Sequence, residues 1–311
     1  MKTGNKGIGE RENYVISGGT EIIKRMNISR DFLQIQKARG QIQSGFDRAV
    51  NLSFQVEGEE RLITLLRGDG TLLPDSILMS DHDFCRIIKN LKCDIIIKNG
   101  ILYIGTVQLY LKGMANQSLY LPGFINRFCE KGLEERISFL TEYQKSDRIR
   151  SDLERLPGRY RNALVRLAIG YVEQEKADVG QAFATLAGVG RGLTPSGDDA
   201  VLGALAMICA FDKQIFLTWE GSFQEFSSVI INRLLDRKVT TKVSAKYLKC
   251  ACRSRFSEAL CKVAVWIVSG GKAPGKWLDQ IMETGHTSGV DMLYGMETAS
   301  RVIYKKLQDR R

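Results

Sequence analysis

With only two histidines in 311 residues, His82 and His286, the chain has little imidazole for metal binding or catalysis. Their wide separation leaves no His/Cys zinc site on local spacing. The seven cysteines, Cys85, Cys93, Cys129, Cys209, Cys250, Cys252 and Cys261, are odd in number and show no Cys-x-x-Cys pair. Most lie in apolar runs such as AMICAF and EALCKVAVW, so they read as small core hydrophobes or free thiols rather than as a disulfide framework. Only five prolines are present, which argues against a Pro-rich linker or tail. No stretch of about 18 apolar residues occurs, which excludes a membrane-spanning helix, and the first thirty residues alternate charged and apolar positions instead of forming the apolar core of a signal peptide. The expected location is cytoplasmic.

What is present describes a globular protein: 44% hydrophobic and 26% charged residues, in a length that favours two domains. The net charge of +10 is concentrated in RLLDRKVTTKVSAKYLKCACRSRF, residues 233–256, where a single aspartate stands among lysines and arginines. A solvated helix face is the ordinary explanation of such a run. A small anionic substrate or an acidic partner subunit is the functional one. Nucleic acid is not expected, because the run offers only Tyr247 and Phe256 for stacking on bases.

The hydrophobic pattern divides the chain. Short β-branched or alternating runs, RLITLL, SILM, CDIIIKNGILYIG and TVQLYL, are separated by the turn signals GDG, PDS and KNG. They predict a β-rich domain, a barrel or curled sheet, over residues 40–122. From residue 123 the period becomes three and four, as in YRNALVRLAIGYVEQ, and predicts an all-helical domain to residue 311 with about seven to nine helices. Together these give an α+β chain. Residues 1–39 read as a partly helical lead-in, with a helix over IKRMNISRDFLQIQK, and His82 in the polar DHD reads as a surface-loop residue.

The most informative stretch is GVGRGLTPSGDDAVLGA, residues 188–204, in which three alternating glycines lead into a Thr-Pro-Ser turn and two aspartates. A glycine turn entering a helix favours an anion, through unpaired amides and the helix dipole. Two carboxylates there oppose one. The spacing Ser196-Gly197-x-Asp199-x-x-x-Gly203 recurs as Ser288-Gly289-x-Asp291-x-x-x-Gly295 in GHTSGVDMLYGM. In each copy the serine and the acid three residues later predict a capping box, which makes Asp199 and Asp291 structural. The glycine four residues further on predicts close approach of another helix or a ligand. The two helix N-termini are expected to converge.

Asp198 has no counterpart, since Val290 occupies the equivalent place, and neighbouring helical positions diverge by about 100°. His286 likewise has no titratable equivalent in the first turn, where the aligned region reads Leu193-Thr194. Asp198 and His286 are therefore the candidate catalytic groups. Gly190, Arg191, Gly192, Thr194, Ser196 and Gly197 from the first turn, with Thr287 and Ser288 from the second, are candidates for binding substrate or phosphate. Thr241 and Ser244, in a polar cluster with Arg237 and Thr240, join them, although that cluster also reads as a helix N-cap. No cofactor is assigned, and Asp198 is the candidate ligand if Mg2+ is required.

GLTPSGDD, followed by TTKVSAKYL and then GHTSGVDMLYGM, resembles the bacterial family that includes the small subunit of oxamate carbamoyltransferase named AllH. The resemblance runs from about Gly40 to Tyr304 and takes in GQIQSGFDRAVNL and LLPDSILM. It implies a role in allantoin or related nitrogen catabolism, within a complex that phosphorolyses an N-carbamoyl compound such as oxalurate to oxamate and carbamoyl phosphate. It also implies partner subunits. Phosphate attack on a carbamoyl carbon builds negative charge on oxygen, which helix or glycine-turn amides or an arginine can stabilise. The leaving nitrogen needs a proton, for which His286 is suited. Asp198 can orient that histidine, accept from the carbamoyl NH2, or hold Mg2+. Two alternatives stand beside this reading: a non-catalytic scaffold or substrate-binding subunit, and a stand-alone amidohydrolase.

Overall fold

The computed structural model describes residues 23–113, 116–146, 151–215, 222–235, 239–285 and 287–309. Contacts divide the chain into two compact units. One comprises the described residues up to Asp69 together with Asp75–Gln117. The other comprises Gly70–Pro74 and the described residues from Ser118 onward.

The first unit is a nearly closed eight-stranded sheet. Its elements are β1 (Ile23–Asn27), α1 (Arg30–Leu33), β2 (Lys37–Gly45), β3 (Ala49–Val56), β4 (Glu59–Arg67), β5 (Ser76–Met79), α2 (Asp81–Lys89), β6 (Ile95–Lys98), β7 (Ile101–Ile104) and β8 (Val107–Tyr110). The strand order is β1-β5-β4-β3-β2-β6-β7-β8, with β4 and β5 parallel and the other pairs antiparallel. Two-residue turns join β3 to β4 and β6 to β7, and Glu57-Gly58 and Asn99-Gly100 all have positive φ, the conformation that matches strand twist in tight hairpins. After β8 the chain returns to β1, where the amide of Gln117 donates to the carbonyl of Met26 at 2.8 Å. The sheet encloses Leu52, Phe54, Ile63, Leu65, Ile77, Ile97 and Leu102.

Two expectations are corrected here. The helix over residues 23–37 is instead β1 followed by the single turn α1. Pairing with β5 satisfies the β1 backbone, and the Asn27 side chain, held by the carbonyl of Gln117 and the amide of Asp75, fixes the chain in extended form. His82 is exposed but lies in the first turn of α2, capped by Ser80 through the amide of Asp83 at 3.1 Å.

The second unit is helical: α3 (Leu133–Ser146), α4 (Asp152–Arg155), α5 (Gly158–Val172), α6 (Lys176–Leu186), α7 (Ser196–Ile215), α8 (Ser222–Leu234), α9 (Lys242–Ala251), α10 (Glu258–Ser269), α11 (Gly275–Met282) and α12 (Ser288–Asp309). A 3-10 turn, Leu121–Phe124, precedes them. These are ten helices among the described residues; the one-turn α4 is too short for a periodic signal. The central helix α7 buries an unbroken apolar run, Ala204–Phe211, and α12 packs along it. No described helix is long and apolar enough to cross a membrane.

Candidate functional site

The alternating glycines are explained by backbone geometry. Gly188, Gly190 and Gly192 have φ of 72°, 122° and 88°, a left-handed path that side chains disfavour. The loop folds onto the start of α7. The amide of Gly197 donates to Val189 O at 2.8 Å, and those of Asp198 and Asp199 donate to Pro195 O at 2.9 and 3.0 Å. These donors of the first helical turn are satisfied within the chain.

Asp198 ties this loop to α9. Its Oδ1 accepts from the amide of Gly188 at 3.0 Å, and its Oδ2 accepts from the hydroxyls of Ser244, at 2.8 Å, and Thr240. Thr241 caps α9 through the amide of Ser244 and donates its hydroxyl to Leu193 O. Asp198 is buried, and burial raises its pKa above the usual carboxylate range, opposed by these three hydrogen bonds.

The two repeated motifs meet, and their polar groups are exchanged. Asp199 on α7 accepts from Ser288 at the start of α12, while Asp291 on α12 accepts from Ser196 at the start of α7. The expected intrahelical boxes are thus replaced by a crossed pair. Ser196 and Ser288 are the first helical residues, one position inside the expected cap, because the carbonyls of Pro195 and Thr287 accept the first helical amides. Thr194 and Ser288 hydroxyls lie 3.0 Å apart, and Asp291 also accepts from Ser151 and from the amide of Leu153. Burial raises the pKa of both acids, that of Asp199 strongly, and each acid retains one buried oxygen, Oδ2, with no hydrogen-bond partner.

A pocket of about 80 Å3 opens beside this junction, room for several waters or a small ligand. Its wall includes Asp198, Asp199 and Leu202 of α7, Ser244, Tyr247 and Leu248 of α9, Ala259 and Leu260 of α10, and Met292 of α12. Thr71, Leu73 and Pro74, which belong to the helical unit, contribute as well, with Thr194, Arg255, Phe256, Ser257, Ile281 and Thr284. Of the residues expected at a site, Thr194, Asp198 and Ser244 reach this wall, and so does Asp199, which was expected to be structural. Gly190, Gly192, Ser196, Gly197, Thr241 and Ser288 build its support. Arg191 is exposed in the loop, and Thr287 donates to Asp152 at 3.3 Å. His286 and Arg237 lie outside the described residues.

The sequence reading missed Arg255, Tyr247 and Ser257. Ser257 carried a legible signal, a serine before an acidic helix start that caps α10 through the amide of Leu260. Arg255 was hidden in the basic run. No group of three or more His, Cys, Asp or Glu suited to a metal occurs among the described residues. Burial pushes the thiols of Cys209 and Cys252 up to about 12 and that of Cys261 higher still, so these three are core groups rather than nucleophiles.

Two family models match the chain. That of the oxamate carbamoyltransferase subunit AllH covers residues 186–300, which holds both Ser-Gly-x-Asp motifs and most of the pocket wall, and that of the AllH family N-terminal domain covers residues 16–116. No solved structure matches the chain. On these two matches, the chain belongs to the AllH family of oxamate carbamoyltransferase subunits.

Proposed function

We propose that this chain works with partner subunits to cleave an N-carbamoyl compound, oxalurate being the type, with phosphate. A phosphate oxygen forms a bond to the terminal carbamoyl carbon, and the bond from that carbon to the inner nitrogen breaks. The nitrogen takes a proton, giving oxamate and carbamoyl phosphate. The observation that carries this reading is the pocket wall at Asp199, a buried acid whose raised pKa favours the protonated form and whose second oxygen is not engaged. Such a carboxyl suits donation to a leaving nitrogen or to the carbamoyl oxygen.

This reading exchanges the roles expected for the two aspartates. Asp198, with hydrogen bonds on both oxygens, positions Ser244 and the glycine loop, and Asp199 becomes the acid that meets the substrate. His286 is the second candidate proton source. The scaffold alternative has the glycine-flanked helices contact partner subunits; Gly203 and Gly295 themselves lie against backbone carbonyls of this same chain and serve packing within it.

The test is a reconstituted complex given oxalurate and phosphate, with carbamoyl phosphate as the measured product. The expected result is product formation that falls at least about a hundredfold in Asp199→Asn at neutral pH. Full turnover in Asp199→Asn would remove Asp199 from the chemistry. Absence of phosphate-dependent product from the wild-type complex would reject phosphorolysis.

A further inference from the structure

The surface of the pocket beside Asp199 is almost wholly apolar, a poor match for a ligand made only of carbonyls, amides and a carboxylate. Its polar side chains are committed to the protein. The Thr71 hydroxyl oxygen accepts from the amide of Ala259 at 3.0 Å, that of Ser257 accepts from the amide of Leu260 at 3.3 Å, and the Thr284 hydroxyl donates to Gln280 O at 3.0 Å. Thr194 is paired with the Ser288 hydroxyl at 3.0 Å, and Ser244 donates to Asp198, both of whose oxygens are engaged. Tyr247 and Arg255 have interactions of their own within the chain. Asp199 is the lining acid that keeps an oxygen, Oδ2, without a hydrogen-bond partner.

The apolar part of the wall is drawn from five helices: Leu202 from α7, Leu248 from α9, Leu260 from α10, Ile281 from α11 and Met292 from α12. Leu248, Leu260 and Ile281 are buried, whereas Leu202 is only partly so. Leu202 stands three residues past Asp199 on α7, the spacing that sets two side chains beside each other on a helix. A methylene buried against such a surface is stabilised, while an oxygen or nitrogen there loses its water without gaining a partner. At about 80 Å3 the pocket is smaller than the roughly 150 Å3 apolar cavity that accepts benzene, so it suits a short chain rather than an aromatic ring.

Resting on the reading that Asp199 meets the carbamoyl group in this pocket, we propose that the compound bound here carries a short aliphatic group beyond its inner nitrogen, aliphatic N-acylureas being the class. The ureido end faces Asp199, and the alkyl chain lies along Leu202 and the apolar wall, in the place where oxalurate has its carboxylate. Oxalurate is then the type of the reaction without being the tightest ligand of this chain. Leu202 is the specificity-determining residue, because it joins the acid to the apolar wall.

The test is calorimetric titration of the full chain in the reconstituted complex with acetylurea, butyrylurea and oxalurate. Each buried methylene tightens binding about fourfold, so wild type should bind butyrylurea at least about tenfold more tightly than acetylurea. Butyrylurea should also bind at least about tenfold more tightly than oxalurate. Leu202→Asn should reduce the advantage of butyrylurea over acetylurea to less than about threefold, and Leu202→Met should keep it. Equal binding of butyrylurea and acetylurea, oxalurate bound as tightly as butyrylurea, an unchanged butyrylurea advantage in Leu202→Asn, or no binding of any probe would overturn the proposal. The wild-type series decides the matter alone if Leu202→Asn does not fold. Carbamoyl phosphate formation from oxalurate and phosphate, measured alongside, separates the two readings. If it occurs while butyrylurea has no advantage, only the aliphatic proposal falls. If it is absent while the advantage holds, phosphorolysis falls on its own.

Discussion

The carbonyl oxygen of Met292 occupies the space a β-carbon on Gly203 would need, 1.9 Å from its ideal position. The relationship is reciprocal: a β-carbon on Gly295 would stand 1.9 Å from the carbonyl oxygen of Ala200. Each glycine of the repeated motif therefore lets its helix press against the backbone of the other, one residue past the partner motif's aspartate. A methyl group cannot fit unless α7 and α12 separate, so Gly203→Ala and Gly295→Ala should each destabilise the protein by at least about 2 kcal/mol, despite alanine's better helix propensity. At about 2–4 °C per kcal/mol for a domain of this size, the loss is visible in a thermal melt. Gly275, with open space at its β-carbon position, is the control, and Gly275→Ala should change little.

The crossed hydrogen bonds make a second prediction that separates them from ordinary capping boxes. In a double-mutant cycle, Asp199→Ala should couple to Ser288→Ala by about 0.5–3 kcal/mol, and Asp291→Ala should couple similarly to Ser196→Ala. Within one helix, Asp199→Ala and Ser196→Ala should be closer to additive. Urea unfolding of the four single and the double variants measures this. Stronger coupling within each helix than between helices would restore the local boxes.

Much of this arrangement was legible. The repeat of Ser196, Asp199 and Gly203 at Ser288, Asp291 and Gly295 announced two equivalent helix starts, and the change of period near residue 123 marked where the helices begin. Which serine serves which aspartate was not legible, because capping rules describe neighbours three residues apart while Asp199 and Ser288 meet only through packing. The strand start was hard to read for a related reason: Ile28, Phe32 and Ile35 are buried at spacings that also suit a helix, and pairing of β1 with β5 decides the matter. Arg255 stood in a run whose charges read as a solvated face, and only the fold shows that one of them enters a pocket wall.

The raised pKa values give a third prediction with a definite sign. Asp199 and Asp291 bind a proton more tightly when folded than at the ordinary value of 3.8, so the folded state holds more protons than the unfolded chain above that pH. Their contribution to stability is full below about pH 4 and is lost as pH rises through the folded value. Asparagine carries no titrating proton. The stability of Asp199→Asn relative to wild type should therefore improve as pH rises from 4 to 8, whatever other carboxylates do to both proteins. Urea titrations at matched pH measure the difference, and a difference that does not vary with pH would show that Asp199 is not protonated on folding.

Asp198 supplies the last prediction, because positioning and proton transfer leave different signatures. Its carboxylate satisfies the Gly188 amide and the Ser244 and Thr240 hydroxyls, so Asp198→Ala strands buried donors and should cost about 2–4 kcal/mol. Asp198→Asn keeps an oxygen for Gly188 and turns an NH2 toward hydroxyls that can rotate to accept, so its cost should be nearer about 1 kcal/mol. In the reconstituted complex, loosening Ser244 in the pocket wall should raise KM for the carbamoyl compound more than it lowers kcat, and the pH profile of kcat should keep its shape. A general base at Asp198 would give the opposite result: a large fall in kcat in Asp198→Asn, with the limb of the profile that reports the base removed. Ser244→Ala discriminates further. It removes one of the bonds that Asp198 accepts without touching the carboxylate, so a positioning role predicts that it reproduces the KM effect, and a proton-transfer role predicts that it does not.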